Sequence, residues 1–177
     1  SMRALTALAV LILVSACKTA PPPELEFTDA DRQAIADEIE RLNGEFLKLT
    51  KPEDHEAGML MWSSEADSYF VTKPALFAQG VTIIAGMQDL REFFDPSRWN
   101  RQSTNITALS TSVAVLSPES AVHVTDGKYS ITNVGGETGP EYPMTMTGVW
   151  VKEDGGWKIV HWHQSWSNTP IESGTEG

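Results

Sequence analysis

The chain has a single cysteine, Cys17, among 177 residues. It can therefore form no disulfide within itself. Positive charge is scarce: 13 Lys and Arg stand against 24 Asp and Glu, for a net charge of −11. Nucleic-acid backbones and anionic lipid surfaces are read by clustered Lys and Arg, so a nucleic-acid partner is excluded. Long apolar runs are missing too. The run from Ala4 to Val14 falls well short of the ~20 residues that span a bilayer. There is no phosphate-cradling Gly loop, no dinucleotide fingerprint, no nucleophile elbow and no convincing metal cluster. The sequence calls for no cofactor and no metal.

The first 16 residues read as a secretory signal, with Met2-Arg3 ahead of the apolar run. That run ends Leu13-Val14-Ser15-Ala16-Cys17, which resembles the lipobox of bacterial lipoproteins. The resemblance implies cleavage before Cys17, lipidation of Cys17, a membrane partner through that lipid, and a place in the cell envelope, facing the periplasm or on the outer membrane. Secretion into the periplasm without the lipid is the alternative. Residues 17–27, with Pro21-Pro22-Pro23, form a stiff extended tether. Residues 28–167 make one domain, long enough to bury a proper core. Residues 168–177 are a polar tail.

Within the domain, Thr28 followed by Asp31 predicts a capped helix start. Ile35, Ile39, Leu42, Phe46 and Leu49 recur at steps of four and three, one apolar stripe of a helix that Pro52 closes. Asp54 can cap a second helix running toward Ser64. Ser68 to Thr72 reads as a strand and Phe77 to Ile84 as its hairpin partner. Met87 to Phe94 reads as a short helix. Four β-rich runs follow, at about 104–116, 120–134, 142–152 and 156–167. Their short Gly- and Pro-bearing links predict an antiparallel meander. Helices first and strands later is the α+β pattern.

The last hairpin is the most informative stretch. Strand-like runs flank Glu153-Asp154-Gly155-Gly156, a strong tight-turn signal. Strict alternation along the second run puts Trp157, Ile159, His161, His163 and Ser165 on one face. Lys158, Val160, Trp162, Gln164 and Trp166 fall on the other. Met144, Met146, Gly148 and Trp150 share one face of the preceding strand.

This order of elements, with Gly155-Gly156-Trp157-Lys158-Ile159-Val160-His161-Trp162-His163-Gln164-Ser165, resembles the SnoaL-like branch of the nuclear transport factor 2-like superfamily. The resemblance runs from about Thr28 to Trp166. It implies a cystatin-like cone: N-terminal helices packed in a strongly curved, mainly antiparallel sheet, with a pocket on the concave face and dimers formed through the convex one. Trp157, Ile159, His163 and Ser165 match the family's final-strand pattern. A steroid isomerase of the superfamily carries a base aspartate before a proline in an early strand. Here Lys73 precedes Pro74, and an ammonium cannot act as that base at its ordinary pKa.

Three readings compete on these residues. The first is a small, partly apolar molecule held in the concave pocket by Trp62, Tyr69, Tyr142, Met146, Trp150, His161, His163 and Ser165. The second is a non-catalytic interaction module or homodimer, with Trp162 and Trp166 exposed on the convex face as its anchors. The third is a lyase, isomerase or hydrolase in which His163, oriented by Asp67, moves a proton. His123, on another strand, or Asp67 could join His161 and His163 around a metal, but no carboxylate sits at matching spacing beside the pair. His55 reads as solvent-facing.

Overall fold

A computed structural model describes residues 27–64, 69–73, 82–95, 97, 101–167 and 169–172. The expected signal segment with Cys17, nearly all of the expected tether, and Asp67 lie outside the described residues, as does most of the expected polar tail. Helix α1 (Asp29–Phe46) opens with the predicted capping box. The Asp31 amide donates to Thr28 Oγ1 at 3.2 Å and the Thr28 amide donates to Asp31 Oδ2 at 2.9 Å. Two backbone donors that the helix cannot satisfy are thus paired. The apolar stripe packs inward: Ile39 is fully buried, and Ile35, Leu42 and Phe46 pack against the same core. Burying a side chain like Ile39 stabilises by about 1.5–3 kcal/mol. The helix stops at Leu47, whose amide donates back to Asn43, before Pro52 is reached. Pro52 instead starts a short 3-10 turn that runs into α2 (His55–Met59).

Strands β1 (Tyr69–Lys73) and β2 (Thr82–Ala85) form an antiparallel pair, followed by α3 (Met87–Phe94). The four long strands are β3 (Ser103–Ser117), β4 (Ser120–Thr132), β5 (Tyr142–Glu153) and β6 (Gly156–Trp166). They form the predicted antiparallel meander, and the whole sheet runs in the order β2-β1-β6-β5-β4-β3. The β1–β6 pairing is parallel. The chain after α2 extends β6's edge further, since the Ser63 amide donates to the Ile159 carbonyl and the Ile159 amide donates to that of Met61. These elements make the α+β cone: helices on the concave side of a curved, mainly antiparallel sheet.

The register slips at three places among the described residues, one of them at Val115/Ser117 beside the β3–β4 turn and two within the sheet. The β3–β4 register slips between Ala108 and Ser110, leaving Leu109 unpaired and exposed. There the two backbones come so close that a Cβ on Gly127 would lie 2.5 Å from the Thr107 carbonyl oxygen. The second slip is in the last hairpin. Trp150 pairs with Ile159 while Val149 pairs with His161, so Val160 is a bulge with no partner. A bulge adds one residue to one strand and shifts its side-chain alternation by one. Beyond Val160 the two faces of β6 therefore exchange. Trp162 is buried against α1, with its ring 4.8 Å from that of Phe46, and Trp166 packs on Tyr129 at 3.9 Å. The expectation from strict alternation, with histidines inward and Trp162 and Trp166 outward, is corrected by this single residue.

Candidate functional site

The concave face is built from cross-strand rows. One row runs Val113, His123, Gly148, Trp162, and the next runs Thr111, Thr125, Met146, Gln164. In the first row Gly148 leaves a gap between two rings. A Cβ there would meet His123 Cε1 at 2.3 Å and Trp162 Cε3 at 3.1 Å. The rings of His123 and Trp162 face one another across it at 5.1 Å. Trp150 Nε1 donates to His123 Nδ1 at 2.7 Å, so the neutral ring carries its proton on Nε2. His123 is fully buried, and loss of hydration pushes its pKa down to about 4. In the second row Asn43 of α1 donates to Thr125 Oγ1 at 2.9 Å, and the Thr125 and Thr111 hydroxyls are 3.0 Å apart. These groups fasten the helix to the sheet.

Above the second row lies a cavity of about 150 Å³. Its apolar wall is Phe46, Met59, Trp62, Met146, Trp162 and Trp166. Polar side chains reach it from the chain after α1 (Thr50, Lys51, Asp54, His55), from the start of β3 (Arg101, Thr104) and from β6 (Gln164). Asp54 accepts from the Thr50 and Lys51 amides at 3.1 and 3.0 Å. Burial lowers the pKa of Arg101. Three buried polar atoms of the lining residues have no hydrogen-bond partner among the described residues: Trp62 Nε1, Thr104 Oγ1 and Trp166 Nε1.

Of the residues singled out from the sequence, Trp62 and Met146 line this cavity. Trp150 and Tyr142 share the concave side but do not line it. Trp150 is fully buried beside His123, and Tyr142 stacks on Tyr129 at 5.5 Å. That stack is closed enough to raise the Tyr129 pKa to about 12, through burial first and Tyr142 second. Tyr69 stands opposite His161 at the start of β1. His161, His163 and Ser165 are corrected: they lie on the convex face, in register with Val149, Thr147 and Thr145, because Val160 is bulged. Ser165 Oγ lies 3.4 Å from His163 Nε2 there. Burial and the neighbouring His163 hold the pKa of His161 below its usual value. A pocket dyad of His163 and Asp67 is therefore not formed by His163. Trp162 and Trp166 are likewise corrected, from convex anchors to cavity wall. His55, read as solvent-facing, lines the cavity with its side chain only 17% exposed. His123 packs on the concave side, away from His161 and His163. Among the described residues no group of three His, Cys, Asp or Glu side chains could hold a metal.

Sequence reasoning missed Gln164, Thr104 and Arg101. Gln164 shares the parity of Trp162 and Trp166, so those tryptophans would have flagged it had they been read as inward. No signal in the sequence marks Arg101 or Thr104.

Residues 39–169 match the SnoaL-like domain. A search of curated proteins finds no match. Among solved structures, a hexachlorocyclohexane dehydrochlorinase from Novosphingobium barchaimii superposes with a TM-score of 0.62 at 15% identity, covering 82% of this chain and 96% of that one. A nuclear transport factor 2-like superfamily protein from Salmonella enterica gives 0.54 at 20% identity, covering 84% and 97%. The association domain of C. elegans CaMKII gives 0.57 at 20% identity, covering 78% and 99%.

Proposed function

The chain belongs to the SnoaL-like domain family, and from that premise we propose that it binds a small, partly apolar molecule in the concave cavity. The observation that carries this reading is the cavity of about 150 Å³ walled by Trp62, Trp162 and Trp166. A space of that size admits a single benzene-sized ring. The family's fold is a ligand-binding scaffold with enzymes among its relatives, so function has to be argued from this site and not from the cone. The site relies on indole surface and Met146, not on the histidines of β6.

The test uses the cavity's own tryptophans. Titration with a compact aromatic probe is expected to change their fluorescence and raise the melting temperature in proportion to ligand excess. Gly58 lines the cavity, and a Cβ there meets nothing within 4 Å. Gly58→Leu is therefore expected to fill the space, abolish the response and leave the unliganded protein at least as stable. An unchanged response in this variant would sink the reading.

The protein's setting belongs to the same proposal. Lipidation at Cys17 would hold the domain at the cell envelope on its Pro-rich tether. A second copy would pair through the convex face, a reading in keeping with the similar fold of the association domain of C. elegans CaMKII. That face carries Val122, Val124, Thr147, Val149, His161 and His163 in place of the indoles. A module whose binding surface is Trp162 and Trp166 is not supported, since both indoles point into the cone.

A further inference from the structure

We propose that the molecule held in this cavity is an uncharged single ring bearing a carbonyl oxygen: a cyclic ketone, lactone or quinone. The proposal rests on the small-molecule reading above and adds the ligand's functional group to it. The lining carries an excess of buried donors. Trp62 Nε1, Trp166 Nε1 and Thr104 Oγ1 belong to cavity-lining residues, and each is buried with no partner among the described residues. Trp62 is 3% exposed and Thr104 9%. An indole N–H can only donate, and a threonine hydroxyl donates as readily as it accepts. Gln164 adds to the excess. Its Oε1 accepts from Trp162 Nε1 at 3.4 Å, which leaves its amide N–H groups as donors. Asp54, the one carboxylate among the described lining residues, already accepts from the Thr50 and Lys51 amides. A donor left unpaired away from water is costly. The guest that relieves this cost brings acceptor oxygens and no donor of its own.

Charge narrows the guest further. A buried ion is tolerated only where an opposite charge pairs with it. Arg101 lines the cavity but already has an interaction partner of its own, and Lys51 is exposed. A carboxylate guest would have to compete for Arg101, and it would share the wall with the charge of Asp54. An ammonium brings only hydrogens, and an alcohol brings one, to a wall that already has a surplus of them. A carbonyl oxygen offers two lone pairs, no hydrogen and no net charge. The indoles and Met146 receive the apolar body of the ring.

Calorimetric titration of the full chain with cyclohexanone, methylenecyclohexane and cyclohexanecarboxylate tests the proposal. The first two have nearly the same shape and differ by an acceptor oxygen in place of a methylene group. Cyclohexanone is expected to bind at least about fivefold more tightly than either of the others, the effect of one good neutral hydrogen bond. Thr104→Val keeps shape and removes one donor, and Trp166→Phe removes another while keeping an aromatic ring. Each is expected to cut the preference for cyclohexanone over methylenecyclohexane about threefold. Thr104→Val is nearly isosteric, so it serves if the tryptophan variant fails to fold. Equal binding of cyclohexanone and methylenecyclohexane overturns the carbonyl, and tighter binding of the carboxylate overturns the uncharged guest. Either result leaves the small-molecule reading standing. An unchanged preference in both variants overturns the role of these donors. Failure of every probe overturns the proposal together with the reading beneath it.

Discussion

Gly148 has no side chain because two rings need its space. His123 and Trp162 occupy the strands on either side of it and meet across the gap. A methyl group there would overlap the imidazole, which is itself pinned by Trp150 Nε1. Overpacking of a tight core typically costs about 1–3 kcal/mol, and with backbone and rings both fixed Gly148→Ala belongs at the upper end. Urea denaturation checks it, and a loss below about 0.5 kcal/mol would contradict the packing described. His123 adds a pH dependence. Its pKa is about 4 when folded and near 6.5 when free. Between those values the unfolded chain takes up a proton that the folded chain refuses. Stability is therefore complete above pH 6.5 and falls as the pH drops toward 4, by about 3 kcal/mol from this group. His123→Gln should flatten the stability profile over that window. A profile as steep as the parent's would assign the effect elsewhere.

At the scale of elements, the same residues were legible or not for identifiable reasons. The α1 stripe and its cap could be read because helix periodicity and a capping box are local signals. The meander and its last turn were legible because turn residues mark where strands end. The face presented by the end of β6 was not legible. Parity is transmitted residue by residue, and one bulge reverses everything after it. Val160 has no Gly or Pro to announce it, and its register is set by pairing with β5. The site shows the consequence: strict alternation puts Gln164 and two tryptophans outward and His161, His163 and Ser165 inward, the reverse of their places in the sheet. Arg101 and Thr104 reach the cavity through tertiary placement, which no local pattern encodes. Deleting Val160 tests the account. The shortened strand runs Ile159, His161, Trp162, so plain alternation against β5 keeps every pair and leaves Trp162 and Trp166 inward. The variant is expected to keep a cooperative transition and blue-shifted tryptophan emission. Loss of the transition with red-shifted emission would show that the bulge does not set the faces in this way. The helix cap offers a smaller check, since Thr28→Ala should cost about 1 kcal/mol in the same denaturation experiment.

At the scale of the whole molecule, the exchange of faces changes what a partner would meet. With the large indoles turned inward, the convex face offers short β-branched side chains in flat rows: Ala114, Val122, Val149 and His161, then Ser112, Val124, Thr147 and His163. Val124 remains 41% exposed in the single chain. A two-fold contact across such rows would set each patch against its own copy, so one substitution acts twice. The net charge of −11 opposes association at long range, and salt screens that repulsion. Two consequences separate this pairing from non-specific adhesion. Sedimentation equilibrium should show a dimer that tightens as salt is raised from 20 to about 200 mM, where the screening length falls from roughly 20 to 7 Å. Val124→Glu should return it to monomer, because two carboxylates would be buried near the symmetry axis without a cation opposite them. The concave cavity lies on the other side of the sheet, so the monomeric variant should keep its ligand response. A dimer that survives Val124→Glu, or a parent protein that stays monomeric at tens of micromolar, would place the contact elsewhere or remove it.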